Sequence, residues 1–219
     1  MPDHDPPVQP GHPAPDFALA SIRDDRTISL ADYRGRAPVL LGLFRGMYCP
    51  FCRRAVAQMS AMSDHLQAIG VESLAIVGSD LDNARLYFKY RPMRIALAAD
   101  PQFTTHSSYG LPRPTPTPEM MAAMGSLLIN PTGELPAPLP VPAVGPALNA
   151  LDDYQLTDAD RHEAETVFTQ MKGQFLIDRD GIVRWSHIEC EKDGLAGLGK
   201  LLSRDEVLSV ATTVVGNRV

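Results

Sequence analysis

Two cysteines three residues apart, in Tyr48-Cys49-Pro50-Phe51-Cys52, are the residues best suited to chemistry in this sequence. Thiols at that spacing can face each other and close a small ring when the first stands at a helix start. The first helical turn offers unpaired amides and the positive end of the macrodipole, and both favour a thiolate over a thiol. Cysteines in such places fall from a pKa of about 8.5 toward roughly 3.5–7.5. Pro50 suits the first helical position because it has no amide to leave unpaired. Arg45 before the pair, and Arg53 and Arg54 after it, bring further positive charge. The chemistry expected is thiol–disulfide exchange. Cys49, accessible and acidic at the helix tip, attacks a disulfide sulfur or a peroxide oxygen; Cys52, more buried, closes the ring and releases the reduced product. Tyr48 and Phe51 flank the pair and either shield the thiolate or contact a substrate, although Phe51 fits plain packing equally well. The competing reading is half a zinc site. Zinc needs two more soft ligands, while Cys190 has no neighbouring cysteine and the six histidines show no paired spacing. Neither a metal nor an organic cofactor is expected, because sulfur carries the electrons.

The elements around the pair read as alternating strands and helices. Pro38 to Phe44 is a continuous apolar run, as in a strand buried on both faces. A helix is expected from Pro50 to Ile69, since Phe51, Ala55, Met59, Met62, Leu66 and Ile69 form one apolar stripe, and Gly70 stops it. Val71–Val77 reads as a second buried strand, 80–91 as a helix, Arg94–Ala98 as a short strand and 101–109 as a short helix. Residues 157–171 read as a helix with Ala164, Val167, Phe168 and Met171 on one face. Gln174–Asp178 and Ile182–His187 form a hairpin about Asp180-Gly181. Ser203-Arg204-Asp205-Glu206 is a capping box that opens the last helix. Of 20 prolines, six lie in residues 1–15 and ten between Pro112 and Pro146. The first cluster marks residues 1–13 as a flexible tail, leaving one domain over 14–219. The second predicts extended, polyproline-like chain over 112–150, with a short strand and turn at 126–133.

Gly11-His12-Pro13-Ala14-Pro15-Asp16-Phe17, Ile28-Ser29-Leu30, Asp32-Tyr33-Arg34-Gly35, Tyr109-Gly110 and Phe175-Leu176-Ile177-Asp178 with Gly181 resemble the peroxiredoxin (AhpC/TSA) group. The likeness covers about residues 11–111 and 172–214. It implies a thioredoxin-like fold: an α/β, three-layer α/β/α sandwich with a central mixed sheet. Residues 112–171 would be a Pro-rich insertion before the final hairpin and helix. The pattern departs from true peroxiredoxins, whose motif has Pro, then Thr or Ser, then the peroxidatic cysteine. With Cys52 in the peroxidatic place, Cys49 stands for the Thr and Arg45 for the Pro; with Cys49 there, Gly46 and Gly42 do. Before the late strand, Lys172 stands where the family places an Arg; it keeps the charge but not the planar fork. Cys-Pro-Phe-Cys resembles the glutaredoxin and thioredoxin dithiol. The mixture implies a peroxiredoxin-like thiol–disulfide oxidoreductase, with Cys49 and Cys52 as redox pair. Arg45, Tyr48 and Pro50 would shape their surroundings, and Lys172 would help to bind an anionic or peroxide substrate. A thiol peroxidase and a non-catalytic binding module are the alternatives.

The remaining features carry less. Cys190 is either a resolving thiol or inert. Met120, Met121 and Met124 are read as packing, and the pairs Asp24-Asp25 and Asp152-Asp153 as solvated surface. Pro2-Asp3-His4 is read as ordinary polar tail, not as a copper chelate. With 20 basic and 26 acidic residues, the net charge of −6 argues against nucleic acid as partner. No apolar run approaches the ~20 residues of a membrane span, and the polar start is unlike a signal peptide. The cytoplasm is the expected location. The expected partners are a disulfide or peroxide substrate and a thioredoxin or glutathione reducing system, with a homodimer left open.

Overall fold

The computed structural model describes residues 6–216; Pro2-Asp3-His4 lies outside them. The elements run β1 (Ala18–Ser21), β2 (Thr27–Ser29), β3 (Val39–Phe44), α1 (Pro50–Ala68), β4 (Glu72–Val77), α2 (Leu81–Lys89), β5 (Ala96–Ala99) and α3 (Thr104–Ser108). They continue as α4 (Pro118–Ser126), β6 (Leu128–Ile129), β7 (Leu139–Pro140), α5 (Val141–Leu151), α6 (Asp158–Val167), β8 (Gly173–Ile177), β9 (Val183–Ile188) and α7 (Arg204–Gly216). Seven strands form one mixed sheet in the order β2-β1-β5-β4-β3-β8-β9. β3, β4 and β5 are parallel, β8 runs antiparallel beside β3, and β9 pairs antiparallel with β8 at the edge.

β3 lies at the heart of this sheet, and every one of its residues is buried. Its alternation splits the core. Leu40 and Phe44 face one apolar cluster with α1, α2 and α7; Val39, Leu41 and Leu43 face another with Leu30, Tyr109 and Phe175. At Gly42 a side chain is excluded: an added Cβ would stand 2.4 Å from the Phe44 ring and 2.8 Å from the Met59 sulfur. The glycine lets α1 press onto the strand that leads into it. The Ser203 hydroxyl accepts from Glu206 N–H and the Glu206 carboxylate from Ser203 N–H, so the capping box opens α7 as expected.

Residues 8–13, part of the flexible tail expected over 1–13, are tied down. Gly11 N–H donates to Val183 O, Val183 N–H to His12 O and Ala14 N–H to Gly181 O, so this stretch runs along the outer edge of the hairpin. The insertion also differs from its expectation. It is folded, not extended: α4, α5 and a two-stranded ribbon of β6 and β7 occupy the Pro-rich stretch. Pro118 is the first residue of α4, behind Thr117, whose hydroxyl accepts from Met120 N–H at 3.2 Å. Pro142 lies in the first turn of α5, where no helical amide bond is lost. The helix expected over 157–171 stops at Val167.

Candidate active site

The sheet delivers the chain to the site at the carboxyl end of β3, and α1 carries it away. Cys49 is the N-cap of α1 and has extended backbone; its carbonyl accepts from Cys52 N–H and Arg53 N–H, both at 3.1 Å. Pro50 is the first helical residue, as expected. The loop before it is held from below. Met47 N–H donates to Ser79 Oγ at 3.0 Å, and Ser79 Oγ donates to Glu163 Oε2 at 2.9 Å. A Cβ at Gly46 would lie 2.1 Å from that same oxygen, so a side chain there would push the Glu163 carboxylate away from Ser79. Tyr48 donates its hydroxyl to Val167 O at 3.2 Å, a second tie to the end of α6.

Both cysteines are free thiols, and both are buried: Cys49 is 4% exposed and Cys52 fully covered. The accessible Cys49 expected from the sequence is therefore corrected, because the insertion roofs it. Its acidity survives the burial. Burial pushes the Cys49 thiol up, but a hydrogen bond from Cys52 and the charges of Arg45 and Lys172 outweigh it, bringing the pKa down to about 5. Cys52 moves the other way: burial, and its place as donor beside an ionised neighbour, raise it well above the usual thiol range. The pair thus separates into a thiolate and a proton-bearing partner at neutral pH.

The charges that achieve this form a buried triad. Arg45 pairs with Glu189 at 3.0 Å, and Lys172 Nζ stands 3.7 Å from Glu189 Oε1. Arg45 Nη1 donates to Gln170 O, Gly199 N–H donates to Glu189 Oε1 at 2.9 Å, and Lys172 Nζ donates to Lys200 O. Two cations and one carboxylate leave one positive charge over, which a Cys49 thiolate neutralises. Burial alone would raise Glu189, but Arg45 and Lys172 hold it below the ordinary carboxylate range. Glu189 had no signal in the sequence: it is one acid at a strand end, 144 residues from its arginine. Lys172 acts through this triad and does not line the space above Cys49.

Arg53 and Arg54, read from sequence as charge beside the cysteines, spend their donors elsewhere. Arg53 Nη1 donates to Met47 O, and Nη2 donates to Asn149 and Asp152, each at 2.7 Å. Arg54 forms two bonds to Glu134 and two to Asp152. Asp152, read as solvated surface, is instead the clamp between α1 and the insertion. Above Cys49 the insertion walls a partly open cavity of about 320 Å³. Met120 and Met124 of α4, Val141 and Gly145 of α5, and Ala164 of α6 line it, together with Phe168, while Arg45, Tyr48 and Cys49 form part of its floor. Those methionines therefore line a space as well as pack. Arg45 Nε has no hydrogen-bond partner among the described residues, although it is buried. Cys190 is half-buried, and burial with the neighbouring Glu189 pushes its thiol up to about 11, which makes it a poor nucleophile. Among the described residues no group of three or more histidine, cysteine or acidic side chains could hold a metal. No helix there is long and apolar enough to cross a membrane.

A mixed sheet with a dithiol where its central strand enters a helix defines a protein of the thioredoxin-like class, and solved structures agree on that fold. Peroxidoxin BcpB from Mycobacterium tuberculosis superposes with a TM-score of 0.58 at 13% identity, over 94% of this chain and 98% of the other. The reduced 2-Cys peroxiredoxin of Plasmodium vivax gives 0.58 at 17% identity, over 94% and 81%. A Chlorobium tepidum chain, provisionally described as a thiol:disulfide interchange protein DsbE, gives 0.50 at 19% identity, over 93% and 99%. The AhpC/TSA family model matches residues 10–137, more than half of the sequence, and the chain belongs to that family. No curated protein sequence matches it.

Proposed function

We propose that Cys49 and Cys52 are a redox pair and that the protein is a thiol-dependent oxidoreductase acting on disulfide bonds. The observation that carries this reading is the placement of Cys49 at the N-cap of α1 with Cys52 in its first turn, a setting that lowers the first thiol and raises the second. The Cys49 thiolate bonds to one sulfur of the substrate, and the other sulfur leaves as thiolate and takes a proton. Cys52, losing its proton, then attacks the Cys49 sulfur, the second substrate sulfur departs, and the protein is left as the disulfide. A thioredoxin or glutathione system in a reducing compartment would return it to the dithiol.

Peroxide reduction is the second reading, favoured by the family and by the unpartnered Arg45 Nε–H, a donor available to the departing oxygen. Cys49 sulfur would take the terminal oxygen and become a sulfenic acid, and Cys52 would expel it as water. Counting free thiols after mixing reduced protein with a disulfide, and separately with hydrogen peroxide, tests both. We expect two thiols lost with the disulfide, none in Cys49→Ser, and a stalled mixed disulfide in Cys52→Ser. Rapid loss with peroxide as well establishes the second reading. No loss with either reagent rejects both and leaves a binding module.

A further inference from the structure

We propose that the insertion makes the protein selective for small disulfides with an apolar body, and that it turns away polypeptides and anionic disulfides. This rests on the oxidoreductase reading and specifies its substrate. Three observations combine. The nucleophile is covered, with Cys49 only 4% exposed, yet it opens onto the cavity of about 320 Å³. That volume is at the small end of ligand pockets. The roof is thioether and hydrocarbon, supplied by Met120, Met124, Val141 and Phe168, and methionine adapts to varied apolar shapes. A peptide strand entering this space would bury backbone amides and carbonyls with few partners, which is costly. Two carboxylates of an anionic disulfide would fare worse. An apolar body loses nothing by entering, and Arg45 stands at the floor beside the reacting atoms, not among the roof groups.

The step balances as follows. Cys49 sulfur bonds to one sulfur of R–S–S–R, the other leaves as RS⁻ and is protonated, and the retained R group occupies the chamber. Cys52 then forms the protein disulfide and releases the second RSH.

Gly145 provides the test. It lines the chamber from α5, and a Cβ built there meets nothing within 4 Å. Leucine at this position should therefore fill the chamber without disturbing its frame. Rates of thiol consumption are measured with dibenzyl disulfide against glutathione disulfide and insulin. Each is divided by the rate of the same reagent with dithiothreitol, which removes intrinsic reactivity. We expect dibenzyl disulfide to be favoured over both by at least about tenfold. Gly145→Leu should lower the dibenzyl disulfide rate about tenfold and so narrow its lead over the polar disulfides, and Gly145→Ala should give a smaller change in the same direction. Equal corrected rates, insulin reacting as fast as dibenzyl disulfide, or equal losses with all three disulfides would overturn the proposal. If no reagent consumes thiols, the oxidoreductase reading fails and the selectivity proposal falls with it. Binding of the uncharged dye N-phenyl-1-naphthylamine then shows which part was wrong: fluorescence lost in Gly145→Leu keeps the apolar chamber and rejects its chemistry, and no binding to the unaltered protein rejects the chamber too.

Discussion

At the scale of single residues, the chemistry depends on how a buried sulfur stays ionised. A helix tip alone would serve an exposed cysteine, but Cys49 is roofed, and burial works against its charge. Arg45 and Lys172 reverse that balance, and Glu189 keeps both cations in place. Arg45→Gln removes a charge from the thiolate and also strands Glu189. We expect the Cys49 pKa to rise and stability to fall by about 3–5 kcal/mol, the usual result of breaking a buried pair. Arg45→Gln with Glu189→Gln should recover part of that stability in urea unfolding, because the remaining Lys172 charge is then left facing the Cys49 thiolate. A single variant as stable as the unaltered protein would show that the pair carries no such strain. The cysteines, Pro50 and Arg45 were legible in the sequence because their chemistry is local: spacing, a helix start, a nearby cation. Glu189 was not, because a carboxylate paired across 144 residues leaves no local pattern.

At the scale of elements, the unexpected feature is the insertion. Ten prolines between Pro112 and Pro146 suggested extended chain. Their positions mattered more than their number, since Pro118 and Pro142 fall in first helical turns, where proline is tolerated. Thr117-Pro118-Glu119, a cap followed by proline and an acid, was the readable signal. What no local pattern could show is that Asp152 reaches back to Arg53 and Arg54 of α1. Asp152 is partly exposed and Arg53 is buried, so we expect Asp152→Ala to cost about 1–2 kcal/mol. Hydrogen exchange should quicken in α5 and in the stretch around Glu134 but not in β3 or β8, and alkylation of Cys49 should accelerate as its roof loosens. Quickening spread evenly over the sheet would contradict the view of Asp152 as a clamp on the insertion.

At the scale of the whole molecule, the strand–helix alternation and the final hairpin were readable because buried parallel strands and amphipathic helices carry distinct periods. Sheet order and the seating of residues 8–14 on the hairpin were not, because edge pairing depends on backbone amides more than on side-chain pattern. The fold and the ionised sulfur are linked through pH. Cys49 titrates near 5 when folded, against an ordinary thiol value of 9.0. Its contribution to stability is therefore complete above the unfolded value and disappears as pH falls through about 5. The thermal midpoint of the reduced protein, compared with that of Cys49→Ser, should show an advantage that grows from pH 5 to pH 8. A constant difference would mean that the thiolate is not held by the fold.

Thiolate absorbance at 240 nm, followed from pH 3 to pH 10 in the reduced protein and in Cys49→Ser, tests the central claim most directly. The account predicts a step near pH 5 that vanishes in the variant, with Cys190 titrating only toward pH 11. A first step near pH 9, or one near pH 5 that persists without Cys49, would contradict it.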